Sequence, residues 1–142
     1  MDVIETGIPG LIVIEPVVLG DDRGFFMESW NSRRYEALGI PAACVPSNVS
    51  RSGAGVELSA ENHRQMYVPE GFAHGFCVLS ESVLLSYFCT EVFHSEYDAV
   101  IAWNDHHIDI NWPVDSGRLS AKDASAPRLR DISPEALPRF VP

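Results

Sequence analysis

The chain has 142 residues, 46% hydrophobic and 21% charged, with 10 Lys and Arg against 20 Asp and Glu for a net charge of −10. That is enough chain for one domain with a real core and too little for two of ordinary size. So acidic a composition excludes a nucleic-acid partner, because neutralising a polyphosphate backbone requires clustered positive charge.

The first strand-like run is LIVI, residues 11–14, followed by FFMESW, residues 25–30, both rich in β-branched and aromatic residues. Residues 31–39 read as one short helix, with Asn31 as N-cap, helix formers, and Gly39 to close it. VEL (56–58), QMYV (65–68), GFCVL (75–79) and residues 83–89 are further strand candidates. After Pro113 the chain turns polar and carries Pro127, Pro134, Pro138 and Pro142, which predicts an extended, irregular C-terminal arm with one helical turn near residues 133–137. There is no internal repeat and no linker, so residues 1–142 are expected to form a single domain, mostly β, as an antiparallel sandwich or jelly roll.

Cys44, Cys77 and Cys89 are odd in number, contain no CxxC pair and sit in apolar runs, which predicts buried free thiols in a reducing compartment. The N-terminus, Met1-Asp2-Val3-Ile4-Glu5-Thr6, has no basic region followed by a long apolar stretch. No segment reaches the roughly 18 uncharged apolar residues of a membrane span. The expected location is the cytoplasm, with no membrane partner. Nine of the ten basic residues are arginine, and two or three well-placed arginines suffice for a small diphosphate.

The run PEGFAHGF, residues 69–76, ends an apolar strand in a tight turn and is expected to present His74 to the cavity of a small barrel. Together with GDDRGFFMESWN (20–31), AVIAWND (99–105) and LSAKD (119–123), it resembles the dTDP-4-dehydrorhamnose 3,5-epimerase family of nucleotide-sugar enzymes. The resemblance implies a cupin-type jelly roll, a homodimer, no metal or organic cofactor, and a dTDP-4-keto-6-deoxy sugar or another nucleotide sugar as ligand. It also implies a role in dTDP-rhamnose and cell-surface polysaccharide synthesis.

The chemistry of such a family is proton abstraction next to a ketone. It needs a base of near-neutral pKa, an acid on the opposite ring face, and a group to stabilise the enolate oxygen. A histidine oriented by an aspartate serves as base and a tyrosine as acid. By resemblance, Tyr87 in LLSYFCT is the acid and Asp123 in LSAKD the aspartate of the dyad. Arg23, Phe26 and Glu28 match the nucleotide-binding motif, where an aromatic stacks on a base or sugar and an arginine meets phosphate. Asn48 also matches a ligand position, and Phe93 stands where the family has a second tyrosine. Pro46 and Val49 depart from the family pattern. Trp103-Asn104-Asp105 and Trp112-Pro113 match positions read as structural.

The family pattern has its base histidine in a segment after NVSRS (48–52), with a neighbouring arginine and a substrate-binding lysine, before rejoining ahead of SAEN (59–62). Here Ser52 leads directly into Gly53-Ala54-Gly55-Val56. An internal deletion at about residues 52–55 is therefore expected, leaving a jelly roll reduced in strand number and an epimerase impaired in its chemistry. The alternative is a catalytically silent nucleotide-sugar-binding or dimer-forming subunit. By the resemblance His74 is a substrate-binding residue whose role is support rather than abstraction, and of the remaining histidines it is the best candidate to replace the base. A metal-dependent cupin is a second alternative, although the chain lacks the HxH pair such a site uses.

Overall fold

The computed structural model describes residues 1–22, 24–40, 55–87, 89 and 94–138. Its regular elements are short: β1 (Asp2–Glu5), β2 (Ile12–Glu15), β3 (Val18–Asp21), β4 (Gly24–Met27), α1 (Ser32–Glu36), β5 (Gln65–Tyr67) and α2 (Ala121–Ala124), with three single turns of 3-10 helix at Ser95–Tyr97, Leu129–Asp131 and Pro134–Ala136.

The organising strand is β2. It lies between β1 and β5 in an antiparallel sheet of order β1-β2-β5, with Val13 opposite Ile4 on one side and Met66 on the other. Being central, β2 buries both faces, which explains its unbroken apolar run where a half-buried strand would alternate. Val13 joins Leu11 and Met66 beneath Val56, Leu58 and Val68. Ile14 points the other way and joins Tyr35 and Ile40, flanked by Trp30, Leu38 and Tyr67. Removing each of these side chains from water contributes about 1.5–3 kcal/mol. At the end of the sheet, Arg64 forks onto the Glu15 carboxylate, Nε at 2.7 Å and the terminal nitrogen at 2.6 Å.

Helix α1 covers the Ile14 face. Asn31 caps it by accepting the Arg34 N–H at 3.2 Å. It stops where Gly39 takes φ +78°, a conformation that disfavours any side chain, so that Gly39 N–H returns to Glu36 O and Ile40 N–H to Tyr35 O, each at 3.0 Å. The register of the helix then drives Tyr35 into the sheet, 1% exposed, with Trp30 stacked at 4.4 Å between ring centroids.

A separate two-stranded sheet is formed by β3 and β4, paired from Val18↔Met27 to Asp21↔Gly24. Its large side chains face outward, with Leu19, Phe25 and Phe26 all more than 60% exposed.

The expected strands at 11–14, 25–30 and 65–68, the helix at 31–39 and the turn near 133–137 all have counterparts. β1 and β3 are additional. Three expected strands are not formed: 56–58, 75–79 and the described part of 83–89 make no ladder. Val56 and Leu58 pack against the core from a loop. The other two segments leave Phe76, Leu79, Val83 and Leu84 exposed. A β-rich sequence has no intrinsic strand stability without a partner to complete its hydrogen bonds. The same lack of cover corrects the expectation of buried thiols: Cys77 is half-buried and Cys89 exposed. Cys44 lies outside the described residues.

Candidate functional site

The turn in PEGFAHGF forms as expected. Gly71 takes φ +87° directly after β5 and Pro69-Glu70, the left-handed residue that reverses the chain. His74, which follows, is exposed rather than enclosed. Among the described residues, 75–79 form no ladder that would wall it in.

Tyr87 is 61% exposed. Phe26 sits on β4 opposite Leu19, 68% exposed. Glu28 performs local work: it accepts the Asn31 side-chain amide at 2.9 Å and pairs with Arg34 at 2.9 Å, so it fastens the strand end to the start of α1. Arg23, Asn48 and Phe93 lie outside the described residues. Phe26, Glu28, His74, Tyr87 and Asp123 make no hydrogen bond or ion pair with one another.

Asp123 is placed by α2. Ser120 caps this turn, accepting the Asp123 N–H at 3.1 Å, while the Ser120 hydroxyl donates to the Asp123 carboxylate at 2.6 Å. The Ser-x-x-Asp spacing is a short version of the capping box, a signal available in the sequence. Lys122 pairs with Asp98 and tethers the turn to the end of the preceding 3-10 helix. None of the five histidines pairs with Asp123: His94 faces Glu96 and His107 faces Asp105, each at 3.5 Å, and His63 rests on the Phe25 ring. Among the described residues no group of three His, Cys, Asp or Glu is arranged to hold a metal ion. Nor is any described helix long and apolar enough to cross a membrane.

The most constrained carboxylate, Asp105, lies in the stretch read as structural. Asp105 is 2% exposed and accepts the His107 N–H at 2.8 Å on one oxygen and the Leu129 N–H at 2.7 Å on the other. These two backbone donors, His107's first, hold its pKa below the usual carboxylate value, against the opposing effect of burial. With Ala102 N–H donating to Pro127 O at 2.8 Å, Asp105 binds the 102–109 loop to the C-terminal arm. Beside it a cleft of about 460 Å³ is lined by Trp103, Asn104, His106, Asp109, Asn111 and Trp112 among others.

Short antiparallel strands, few and brief helices and an irregular arm make a mostly β protein, and its structural likeness places it in the cupin-type jelly-roll class. The crystal structure of dTDP-6-deoxy-D-glucose-3,5-epimerase from Legionella pneumophila, in complex with dTDP-4-keto-L-rhamnose, superposes with a TM-score of 0.81 at 32% identity, covering 99% of each chain. That of dTDP-4-dehydrorhamnose 3,5-epimerase from Elizabethkingia anophelis gives 0.80 at 30% identity, covering 92% of this chain and 97% of that one. In sequence, the dTDP-4-dehydrorhamnose 3,5-epimerase of Shigella flexneri is 35% identical over 176 positions, covering 92% of this chain and 97% of its own. The Escherichia coli enzyme of that name is 37% identical over 169 positions, covering 87% and 91%. The family model for dTDP-4-dehydrorhamnose 3,5-epimerase matches in two stretches, residues 5–57 and 53–131. The chain belongs to the dTDP-4-dehydrorhamnose 3,5-epimerase family.

Proposed function

We propose that this chain binds a dTDP-4-keto-6-deoxy sugar as its relatives do, and that its epimerisation step is impaired because the segment bearing the base is missing at about residues 52–55. The observation that carries this reading is the partner of Asp123. In a histidine–aspartate dyad the carboxylate fixes the imidazole tautomer and stabilises the imidazolium; here that carboxylate is bonded to the Ser120 hydroxyl. Two features of the comparisons support it. The family model matches in two stretches that meet at residues 53–57, and the alignments to the Shigella and Escherichia coli enzymes are longer than the 142 residues of this chain.

Tyr87 would serve as acid and Asp123 as a dyad aspartate without its histidine. Arg23, Phe26, Glu28, Asn48, His74 and Phe93 would supply ligand contacts. A homodimer in the cytoplasm is the assembly we favour, and the exposed Leu19 and Phe26, paired on one face of the β3–β4 hairpin, offer an apolar patch suited to a second copy.

The test is wash-in of solvent deuterium into dTDP-4-keto-6-deoxyglucose, read by mass spectrometry, beside calorimetric titration with dTDP. The unmutated chain is compared with His74→Asn and Tyr87→Phe. Binding of dTDP without deuterium incorporation is expected. Incorporation that disappears in His74→Asn would reveal a replacement base and overturn the proposal.

A further inference from the structure

We propose that the cleft lined by Trp103 and Trp112 is a second ligand site, for a neutral saccharide, separate from the residues assigned above to the nucleotide sugar. The proposal does not depend on whether the chain epimerises. The cleft's volume of about 460 Å³ falls within the range of small-molecule sites, roughly 300–1,000 Å³.

The walls are aromatic and fixed. The two indoles lie 6.2 Å apart between centroids at an interplanar angle of 63°, so they meet as adjoining walls. Trp112 is anchored by its Nε1–H, which donates to Trp103 O at 2.7 Å, and its far ring edge lies over Gly75, 4.0 Å from where a side chain there would begin. Both rings are half-buried, leaving part of each to meet a ligand. An aromatic pair held this way offers contact area with little loss of side-chain freedom on binding.

The polar groups on the same wall have unspent capacity. Asp105 beneath them is fully engaged by two backbone N–H groups and serves as support. The side chains of Asn104, His106 and Asp109 are exposed and make no ion pair or side-chain hydrogen bond among the described residues. Asp109 holds φ +50°, a left-handed conformation uncommon for a non-glycine residue. A carboxylate, an imidazole and an amide around paired indoles suit a pyranose: its C–H face lies on a ring and its hydroxyls donate to the carboxylate. With Asp109 in the cleft and a net charge of −10, a neutral ligand is favoured over an anion.

The test uses the indole N–H signals of the three tryptophans in ¹H–¹⁵N spectra. The full chain is titrated with the methyl glycosides of glucose, mannose and galactose, then with choline as a cationic probe. Saturable shifts at Trp103 and Trp112, with Trp30 unmoved and the effect retained under saturating dTDP, are expected for at least one glycoside. Asp109→Asn should weaken that binding about tenfold, the loss of one charge-assisted hydrogen bond. The proposal is overturned by no saturable shift with any glycoside, by loss of the shifts when dTDP is added, by a response to choline alone, or by unchanged affinity in Asp109→Asn.

Discussion

Tyr35→Phe tests the contact that seats α1 on the central sheet. The Tyr35 hydroxyl donates to Gln65 Oε1 at 2.6 Å, and Gln65 Nε2 donates to Ser29 O at 3.2 Å. The Gln65 amide therefore cannot turn over to satisfy itself when the hydroxyl is removed. Losing a hydrogen bond of this kind while leaving its acceptor part-buried costs about 1–2 kcal/mol, and the ring, which carries the packing, is retained. For a domain of this size that lowers Tm by roughly 3–8 °C. The alkaline limb should change as well. Burial, and then the Glu28 charge, raise the Tyr35 pKa, so the folded state favours the neutral phenol. That contribution is fully present below the ordinary tyrosine pKa of about 10 and is lost as pH rises through the higher folded value; the Phe variant should show no such loss. The assay is urea unfolding followed by circular dichroism, with Gln65→Met and the double variant completing a cycle. A midpoint unchanged in Tyr35→Phe, or a cycle with no coupling between the two positions, would refute the reasoning.

Acidification should weaken the attachment of the C-terminal arm. Because the folded-state pKa of Asp105 is depressed, the stability it contributes is present above the unfolded carboxylate value of about 3.9 and disappears as pH falls through the lower folded value. Asp105→Asn should flatten that acid limb in urea midpoints measured from about pH 5 down to pH 2. Gly39→Ala places a side chain at φ +78° and should cost about 1 kcal/mol with no change in the packing of Tyr35; an unchanged midpoint would count against the left-handed helix end. Amide hydrogen exchange should separate two parts of the chain. Residues 12–15 and 65–67 should be protected, and residues 75–79 and 83–87 should exchange rapidly, since they have no ladder partner; equal protection would mean these segments pair in solution.

Much of the N-terminal half was legible because its signals are local. The unbroken apolar run at 11–14 marks a strand buried on both faces, and Asn31 with Gly39 brackets a helix whose caps form as written. β1 escaped notice because Val3 and Ile4 are flanked by acids, and the strand exists by pairing with β2. Segments 75–79 and 83–89 carry the strongest strand composition, yet strand formation is a property of pairs, and composition cannot report an absent neighbour. The same distinction holds at the site. Motifs identified the family and suggested Tyr87, Asp123 and His74 by resemblance, while the clamp from Asp105 to Leu129 spans 24 residues and is invisible to any local pattern.

Binding and chemistry place different demands on this fold. A nucleotide sugar can be held by a few arginines and aromatics on a surface strand such as β4, because each contact contributes on its own. Enolisation requires several groups at once: a base within hydrogen-bond reach of the carbon-bound proton, an acid on the opposite face, and an environment dry enough for fixed dipoles to stabilise developing charge. In the site proposed here Tyr87 is 61% exposed and the Asp123 carboxylate is bonded to the Ser120 hydroxyl. On the proposed reading both would trace to one cause, the segment missing at about residues 52–55, which in the family pattern carries the base. If the proposal holds, a new histidine introduced at a single position would supply a base and leave Tyr87 exposed, and catalysis would return only with the base and its covering segment together.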